Sequence, residues 1–170
     1  MQKSLGVAVL LVLNFSMMAQ SMQSDWAARW ANAREYTLAV AEAMPEADYS
    51  FRPVDTVGMT FGEQLLHLSQ NSRWLALSKL KGQERPAKPS IDATDKAAVM
   101  AYVTQSFAIA DSVLATLTFS ELDQDVDWFS GPISKRRIGL LIFDHVTHHR
   151  AQAIMYLRMK GIEPPKYVGW

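Results

Sequence analysis

The four histidines of this chain fall in two short segments, GEQLLHLSQNSRW with His67 and FDHVTHHRAQ with His145, His148 and His149. Both segments have the residue pattern of amphipathic helices. On a helix, His145 and His149 are one turn apart, so their imidazoles project from one face with Cβ atoms about 5–6 Å apart. Two nitrogens at that spacing can bind one cation, and His67 on another helix could complete a three-histidine site that leaves coordination positions for water or substrate. These residues predict a metal centre with His67, His145 and His149 as ligands.

The alternative for any single histidine is a packing role, in which the ring nitrogens bind a carbonyl group or water. His145 and His149 share a helix face with Leu141 and Tyr156, where burying two polar rings without a partner would be costly. A metal ion would satisfy both rings at once. His148 points about 100° away from His149 around the helix. We therefore favour the pair one turn apart over His148 as ligands.

Residues near the histidines could support such a site. Metal-bound histidines usually donate their second ring proton to a carboxylate, a carbonyl group or water. Glu63 and Asp144 are candidate acceptors, although both could simply be solvated, and Asp144 could instead pair with His148. Gln152 and Arg150 could extend the hydrogen-bond network or bind an anionic substrate, and a surface ion pair is the alternative for Arg150. The sequence identifies no catalytic base.

The elements that must position these residues are four helices. Apolar residues recur at three- and four-residue intervals over residues 24–44, from Thr60 to a terminator at Gly82, over residues 94–117 and over residues 134–160. Thr60 and Glu63 fit a capping box, and Gly82 and Gly161 are placed as helix terminators. Thr118 to Pro132 has the composition of a loop, and no stretch shows the regular alternation of a strand of any length. The pattern predicts an all-α four-helix bundle, a fold whose core commonly holds metal sites.

Composition narrows the function classes. The 170 residues suit a single domain, and 17 basic residues balance 17 acidic ones, so nucleic acid is not an expected partner. The chain has no cysteine, which excludes disulfides, thiolate ligands and a cysteine nucleophile. Nitrogen and oxygen ligands remain, and they suit nickel, zinc, iron or manganese.

The first twenty-one residues have the pattern of a signal peptide. Lys3 precedes an apolar run from Leu5 to Leu13, and small residues near Ser21 suit a signal peptidase. We predict a signal peptide at residues 1–21, a mature domain at residues 22–170 and a periplasmic or secreted location. No stable membrane span is expected after cleavage, because the apolar run is shorter than the roughly 20 residues of a span. An uncleaved anchor is the alternative.

Three stretches of the chain carry a resemblance to known proteins: MPEADYSFRPVDTVGMTFGEQLLHLSQNSRW, the segment HVTHHRAQ and the final YLRMKGIEPP. They resemble the DinB/YfiT-like family of metal-dependent enzymes. The second is similar to the family signature H-x-x-x-H-R-G-Q, with Ala151 where glycine is usual. Alanine is also small enough for close helix packing and favours a helix more than glycine does. Together the stretches cover nearly all of the chain beyond the predicted signal.

The resemblance implies an up-down-down-up bundle, commonly a homodimer, with His67, His145 and His149 holding a divalent metal such as nickel or zinc. It also implies that some relatives transfer low-molecular-weight thiols or isomerise thiol adducts. From the chemistry of a metal held by three imidazoles, we expect an enzyme that acts on a small molecule by hydrolysis or by transfer of a thiol or another group. Such thiols are chiefly cytoplasmic, so the predicted export argues against this substrate class here. The alternative is a non-catalytic metal-binding or interaction module on the same bundle.

Overall fold

Helices make up most of the described chain. The computed structural model describes residues 24–55 and 57–169, so the predicted signal peptide at residues 1–21 lies outside the described residues. Helix α1 covers residues 24–43. The later helices are α2 (Phe61–Trp74), α3 (Lys96–Ala115), the one-turn α4 (Phe119–Leu122) and α5 (Lys135–Met159). Within the described residues, the long helices α1, α2, α3 and α5 confirm the expected all-α bundle.

Helix α2 begins where the capping box was expected. The Glu63 amide donates to the Thr60 hydroxyl at 3.2 Å, and the Thr60 amide donates to the Glu63 carboxylate at 2.7 Å. After α2 the chain continues as a π-helix over Leu75–Leu80, and Gly82 then adopts a left-handed φ of 69°. Leu75 and Leu80 are both fully buried, and their five-residue separation suits the wider turn of a π-helix. The predicted extent and terminator are confirmed, whereas the change of helix type was not foreseen.

Aromatic rings connect three of the long helices. Trp30 of α1 stacks on Phe107 of α3 at 4.8 Å between ring centroids and meets Phe143 of α5 edge-on at 5.6 Å. The Trp30 indole also donates a hydrogen bond to the Phe107 carbonyl oxygen at 3.1 Å. All three rings are buried, so this cluster fixes how α1, α3 and α5 pack.

Among the described residues, α3 is the one helix that is long and apolar enough to cross a membrane, by length and composition alone. A helix in the core of a bundle has the same composition. Val99, Val103, Phe107 and Ala110 of α3 are fully buried against the rest of the bundle. Packing in the core therefore accounts for the apolar character of α3.

The segment from Thr118 to Pro132 has more structure than the loop that its composition predicts. Thr118 and Glu121 form a second capping box that begins α4. A two-residue strand β1 (Asp125–Val126) then pairs antiparallel with β2 (Ile133–Ser134). Elements of two to four residues are too short to produce a periodic pattern, which is why the sequence did not reveal them.

The two aromatic residues of this segment behave differently. Trp128 is half-buried and stacks on Trp74 at 6.0 Å, so it covers part of the bundle. Phe129 is 85% exposed.

A glycine near the start of α2 allows a loop to pack against the helix. A Cβ atom at Gly62 would overlap the backbone carbonyl oxygen of Ala93. Glycine therefore lets the loop of residues 88–94 approach the first turn of α2. This contact places the loop beside the helix that carries His67.

Candidate metal centre

Packing of α2 against α5 brings together the three histidines that the sequence singled out. His67 comes from the middle of α2, and His145 and His149 come from successive turns of α5. One nitrogen from each ring lies within 4.8 Å of the other two. The His145 Nε2 and His67 Nε2 atoms are 3.2 Å apart. The three residues thus form a compact group that could hold a metal ion.

The spacing of the nitrogens suits a small divalent ion. Nitrogens bound to a tetrahedral zinc at about 2.0–2.1 Å would lie about 3.3 Å from one another. The Nε2 atoms of His67 and His145 already have this separation at 3.2 Å, and the ligand nitrogens of the group all lie within 4.8 Å of one another. The three rings are therefore close enough together to hold one small divalent ion.

Burial keeps the three rings in the state that a metal requires. Burial is the main cause, and together with the neighbouring imidazoles it lowers the pKa of His149 to about 3 and of His145 to about 4. The pKa of His67 is lowered mainly by burial and also by the positive charge of Lys88. All three rings are therefore neutral near pH 7, and a neutral imidazole can donate its lone pair without first losing a proton.

The position of the histidines relative to the core explains why the centre can be reached. The central core positions of α5 are Ile142, Val146, Ala153 and Leu157. His145 and His67 lie beside this core and are only half-buried, while His149 is 9% exposed. The group therefore lies at the edge of the hydrophobic core.

A buried amide orients His149. The Nδ1–H group of His149 donates to the Oε1 atom of Gln64 at 2.6 Å, and Gln64 is 2% exposed. The Gln64 amide nitrogen donates to Gln152 Oε1 at 2.6 Å and to the Tyr156 hydroxyl oxygen at 3.3 Å. The Tyr156 hydroxyl in turn donates to the Met59 carbonyl oxygen. Because the Gln64 oxygen can only accept, the proton of His149 is on Nδ1 and the lone pair is on Nε2. This is the kind of support that metal-binding histidines commonly have.

The expected carboxylate acceptors are not used in this way. Glu63 belongs to the capping box and lies 3.7 Å from the Arg52 guanidinium. Asp144 lines a separate cleft with Trp128. Among the described residues, the group that accepts a hydrogen bond from a histidine ring of the site is instead the amide of Gln64. Neither candidate carboxylate is seen in this role. A usable signal was present, because Gln64 precedes His67 by three residues and is a polar residue on a core-facing position.

Gln152 and His148 extend the same network outwards. The Gln152 side-chain oxygen accepts a hydrogen bond from Gln64, so Gln152 extends the hydrogen-bond network as the sequence suggested. The Gln152 amide nitrogen donates to His148 Nε2 at 2.7 Å. His148 is exposed and does not belong to the three-histidine group. In the described chain it bonds to Gln152, and the pairing considered with Asp144 is not formed.

Arg150 has a role that neither of its two interpretations anticipated. It is 7% exposed, and its guanidinium donates to the Ala33 carbonyl oxygen at 3.3 Å and to the Thr37 hydroxyl at 3.4 Å. It also lies over the Tyr36 ring at 4.8 Å. These contacts hold α5 against α1, so Arg150 supports the fold and neither lies at the histidines nor forms a surface ion pair.

An open cleft of about 660 Å³ borders His67. Its walls come from residues 50–52 and 58–60, the first turns of α2 and the loop of residues 88–94. Its lining includes four charged side chains, those of Arg52, Glu63, Lys88 and Asp92. The volume suits a small-molecule ligand.

Comparison with known proteins identifies the fold and the family of this chain. The family model described as the DinB superfamily matches residues 29–153. A DinB-like protein, YjoA, from Bacillus subtilis superposes with a TM-score of 0.73 at 20% identity, over 86% of this chain and 99% of that one. A DinB-like protein from Bacillus cereus ATCC 10987 superposes with a TM-score of 0.72 at 16% identity, over 84% and 95% of the two chains. No curated protein matches the sequence significantly.

The two solved structures share the fold of this chain, and the family model covers its three histidine-bearing turns together with most of the bundle. The chain belongs to the DinB superfamily.

Proposed function

We propose that this protein binds one divalent metal ion through His67, His145 and His149 and uses it to act on a small molecule. The reaction class is hydrolysis, or transfer of a thiol or another group. The observation that carries the proposal is the convergence of three neutral imidazoles from α2 and α5 beside an open cleft. Catalytic metal sites keep a position open to substrate, whereas structural sites are closed by protein ligands.

The residues of the chain would share the work around such an ion. A bound divalent ion supplies Lewis acidity, which stabilises negative charge on water or on a substrate atom. Gln64 holds His149 with its Nε2 lone pair available, and burial keeps the ligands unprotonated. The cleft admits a substrate on the side of His67.

The second candidate is a non-catalytic metal-binding or interaction module. The observation that favours it is that both carboxylates of the cleft already accept hydrogen bonds from neighbouring residues. Glu63 accepts from the Thr60 amide, and Asp92 accepts from the Thr94 amide and hydroxyl. Neither is therefore an obvious general base. Metal-dependent turnover of a substrate would show that the protein is an enzyme and not a non-catalytic module.

The metal content of protein purified without an affinity tag tests the proposal. We expect about one equivalent of nickel, zinc, iron or manganese per chain, with His145→Ala losing it while remaining helical by circular dichroism. His148→Ala is the matched control, because this histidine lies on the same helix outside the group, and it should keep the metal. Equal metal content in wild type and His145→Ala would contradict the assignment of ligands.

We also propose export to the periplasm or medium, and assembly as a homodimer. The support for export is the amino-terminal sequence pattern alone, and the support for a dimer is the family resemblance. Detection of the protein in a periplasmic fraction and light scattering of the purified chain test the two statements separately.

A further inference from the structure

We propose that the cleft beside His67 binds a substrate carrying an anionic group, such as a carboxylate or phosphate, and that Lys88 supplies the cation that recognises it. The inference rests on the proposed function, because another atom of the same substrate would reach the metal held by the histidines. Lys88 and His67 both line this cleft, so one small molecule can contact both.

The acidic side chains of the cleft are already bound by other groups. Glu63 accepts a hydrogen bond from the Thr60 amide at 2.7 Å and lies 3.7 Å from the Arg52 guanidinium. Asp92 accepts from the amide and the hydroxyl of Thr94 at 2.9 and 2.8 Å. These carboxylates are thus engaged by the local backbone and by Arg52.

The two basic side chains differ in how far their charge is neutralised. Arg52 faces Glu63 and also donates to the Gly58 carbonyl oxygen at 3.3 Å. Lys88 is exposed, and none of the ion pairs formed by the described residues includes it. Its ammonium group is therefore the cation of the cleft that is available to a ligand.

The backbone at the start of α2 leaves little room for an alternative anion site. The Phe61 amide donates to the Phe51 carbonyl oxygen at 2.9 Å, and the Gly62 amide donates to the Tyr49 carbonyl oxygen at 3.0 Å. The Glu63 amide is bound by the cap hydroxyl. Because these amides already have acceptors, the first turn of α2 offers no free backbone donors to an anion. An anionic group of a ligand must therefore be recognised by side chains.

The charge balance points in the same direction. The formal charges of Arg52 and Lys88 cancel those of Glu63 and Asp92 in the lining of the cleft. A divalent ion would therefore leave the cleft with a net positive charge, which favours an anionic ligand over a neutral one of the same shape.

Binding of two matched thiols to the cobalt(II)-loaded full-length protein tests the inference. The probes are 3-mercaptopropionate and its neutral analogue 3-mercaptopropionamide, titrated at pH 7 and low salt while the visible absorption of cobalt is recorded. We expect the wild type to bind the carboxylate roughly three- to tenfold more tightly than the amide, as expected for one charge-assisted contact at a partly exposed site. Lys88→Gln should bring this ratio close to one and leave the affinity for the amide unchanged.

Lys166→Gln is the matched control, because Lys166 is exposed and lies outside the cleft, and it should keep the wild-type ratio. A wild type without preference for the carboxylate, or a Lys88→Gln variant that keeps the preference, would overturn the inference while the cobalt spectrum still supports the metal centre. A wild type that binds no cobalt would overturn the proposed function and this inference together. The outcomes therefore separate the two statements.

Discussion

At the scale of single residues, the structure assigns the main supporting role to an amide. Gln64 is buried, and its oxygen accepts the Nδ1 proton of His149 while its nitrogen donates to Gln152. A neutral amide fixes the tautomer of the ring without adding negative charge. The ring therefore keeps its usual donor strength more closely than it would beside a carboxylate.

We expect Gln64→Leu to weaken metal binding by about 10- to 100-fold, as is typical when a partner of a metal-binding histidine is lost. The variant removes the acceptor for His149 and leaves a buried N–H group without a partner. Competition with a chelating dye would measure the change in metal dissociation constant.

Gln70→Leu is a suitable control, because Gln70 lies two turns further along α2 and lines the cleft without a described hydrogen bond to a histidine ring. Equal metal affinity in Gln64→Leu and wild type would show that the hydrogen bond to His149 does not support the centre.

At the scale of elements, close packing at two glycines sets where the helices and loops lie. A Cβ atom at Gly62 would overlap the Ala93 carbonyl oxygen, and a Cβ atom at Gly139 would overlap the Trp26 ring. The first contact places the 88–94 loop against α2, and the second brings α1 against α5. The obstacle at Gly62 is backbone, whereas the obstacle at Gly139 is a side chain that can turn away.

We therefore predict that Gly62→Ala lowers the free energy of unfolding by about 1–3 kcal/mol, the usual cost of overpacking. This cost exceeds the gain of up to about 1 kcal/mol in helix propensity. Gly139→Ala should cost less, because only the Trp26 ring must move. Urea unfolding of both variants measures the difference. A Gly62→Ala protein as stable as wild type would mean that the loop of residues 88–94 can move away from α2 without loss of stability.

At the scale of the whole molecule, the histidines connect stability to pH. Burial lowers the pKa of His145 to about 4 and of His149 to about 3, while the unfolded chain has ordinary histidine pKa values near 6.5. Between these values the unfolded state binds more protons than the folded state. The free energy of unfolding must then fall as pH falls through this range.

For the metal-free protein we expect the free energy of unfolding to be greatest above about pH 6.5 and to decline steadily from there towards pH 4. Urea titrations at a series of pH values would measure the decline. A His145→Asn, His149→Asn double variant should show a shallower slope, because asparagine does not titrate. Identical slopes in the two proteins would assign the pH dependence to other groups.

Much of the fold follows from local rules that a sequence displays. The spacing of apolar residues, the Thr60 and Glu63 capping box and the glycine terminators gave the long helices to within about two residues at most ends. The same geometry places His145 and His149 on one face, because residues four apart on a helix are always neighbours. The proximity of His67 to this pair was inferred from the chemistry of histidine as a metal ligand and from the family resemblance.

The chain by itself therefore determined its helices, their ends and the shared face of one histidine pair, since each depends on residues within a turn of one another. Only the tertiary structure decided that Gln64 rather than Glu63 meets His149, that Arg150 is buried against α1, and that the 88–94 loop brings Lys88 to the cleft. Adjacent positions on a helix point about 100° apart, so the choice between Gln64 and Glu63 depends on how α2 is rotated against α5. That rotation is set by packing of the entire core, which no local pattern contains.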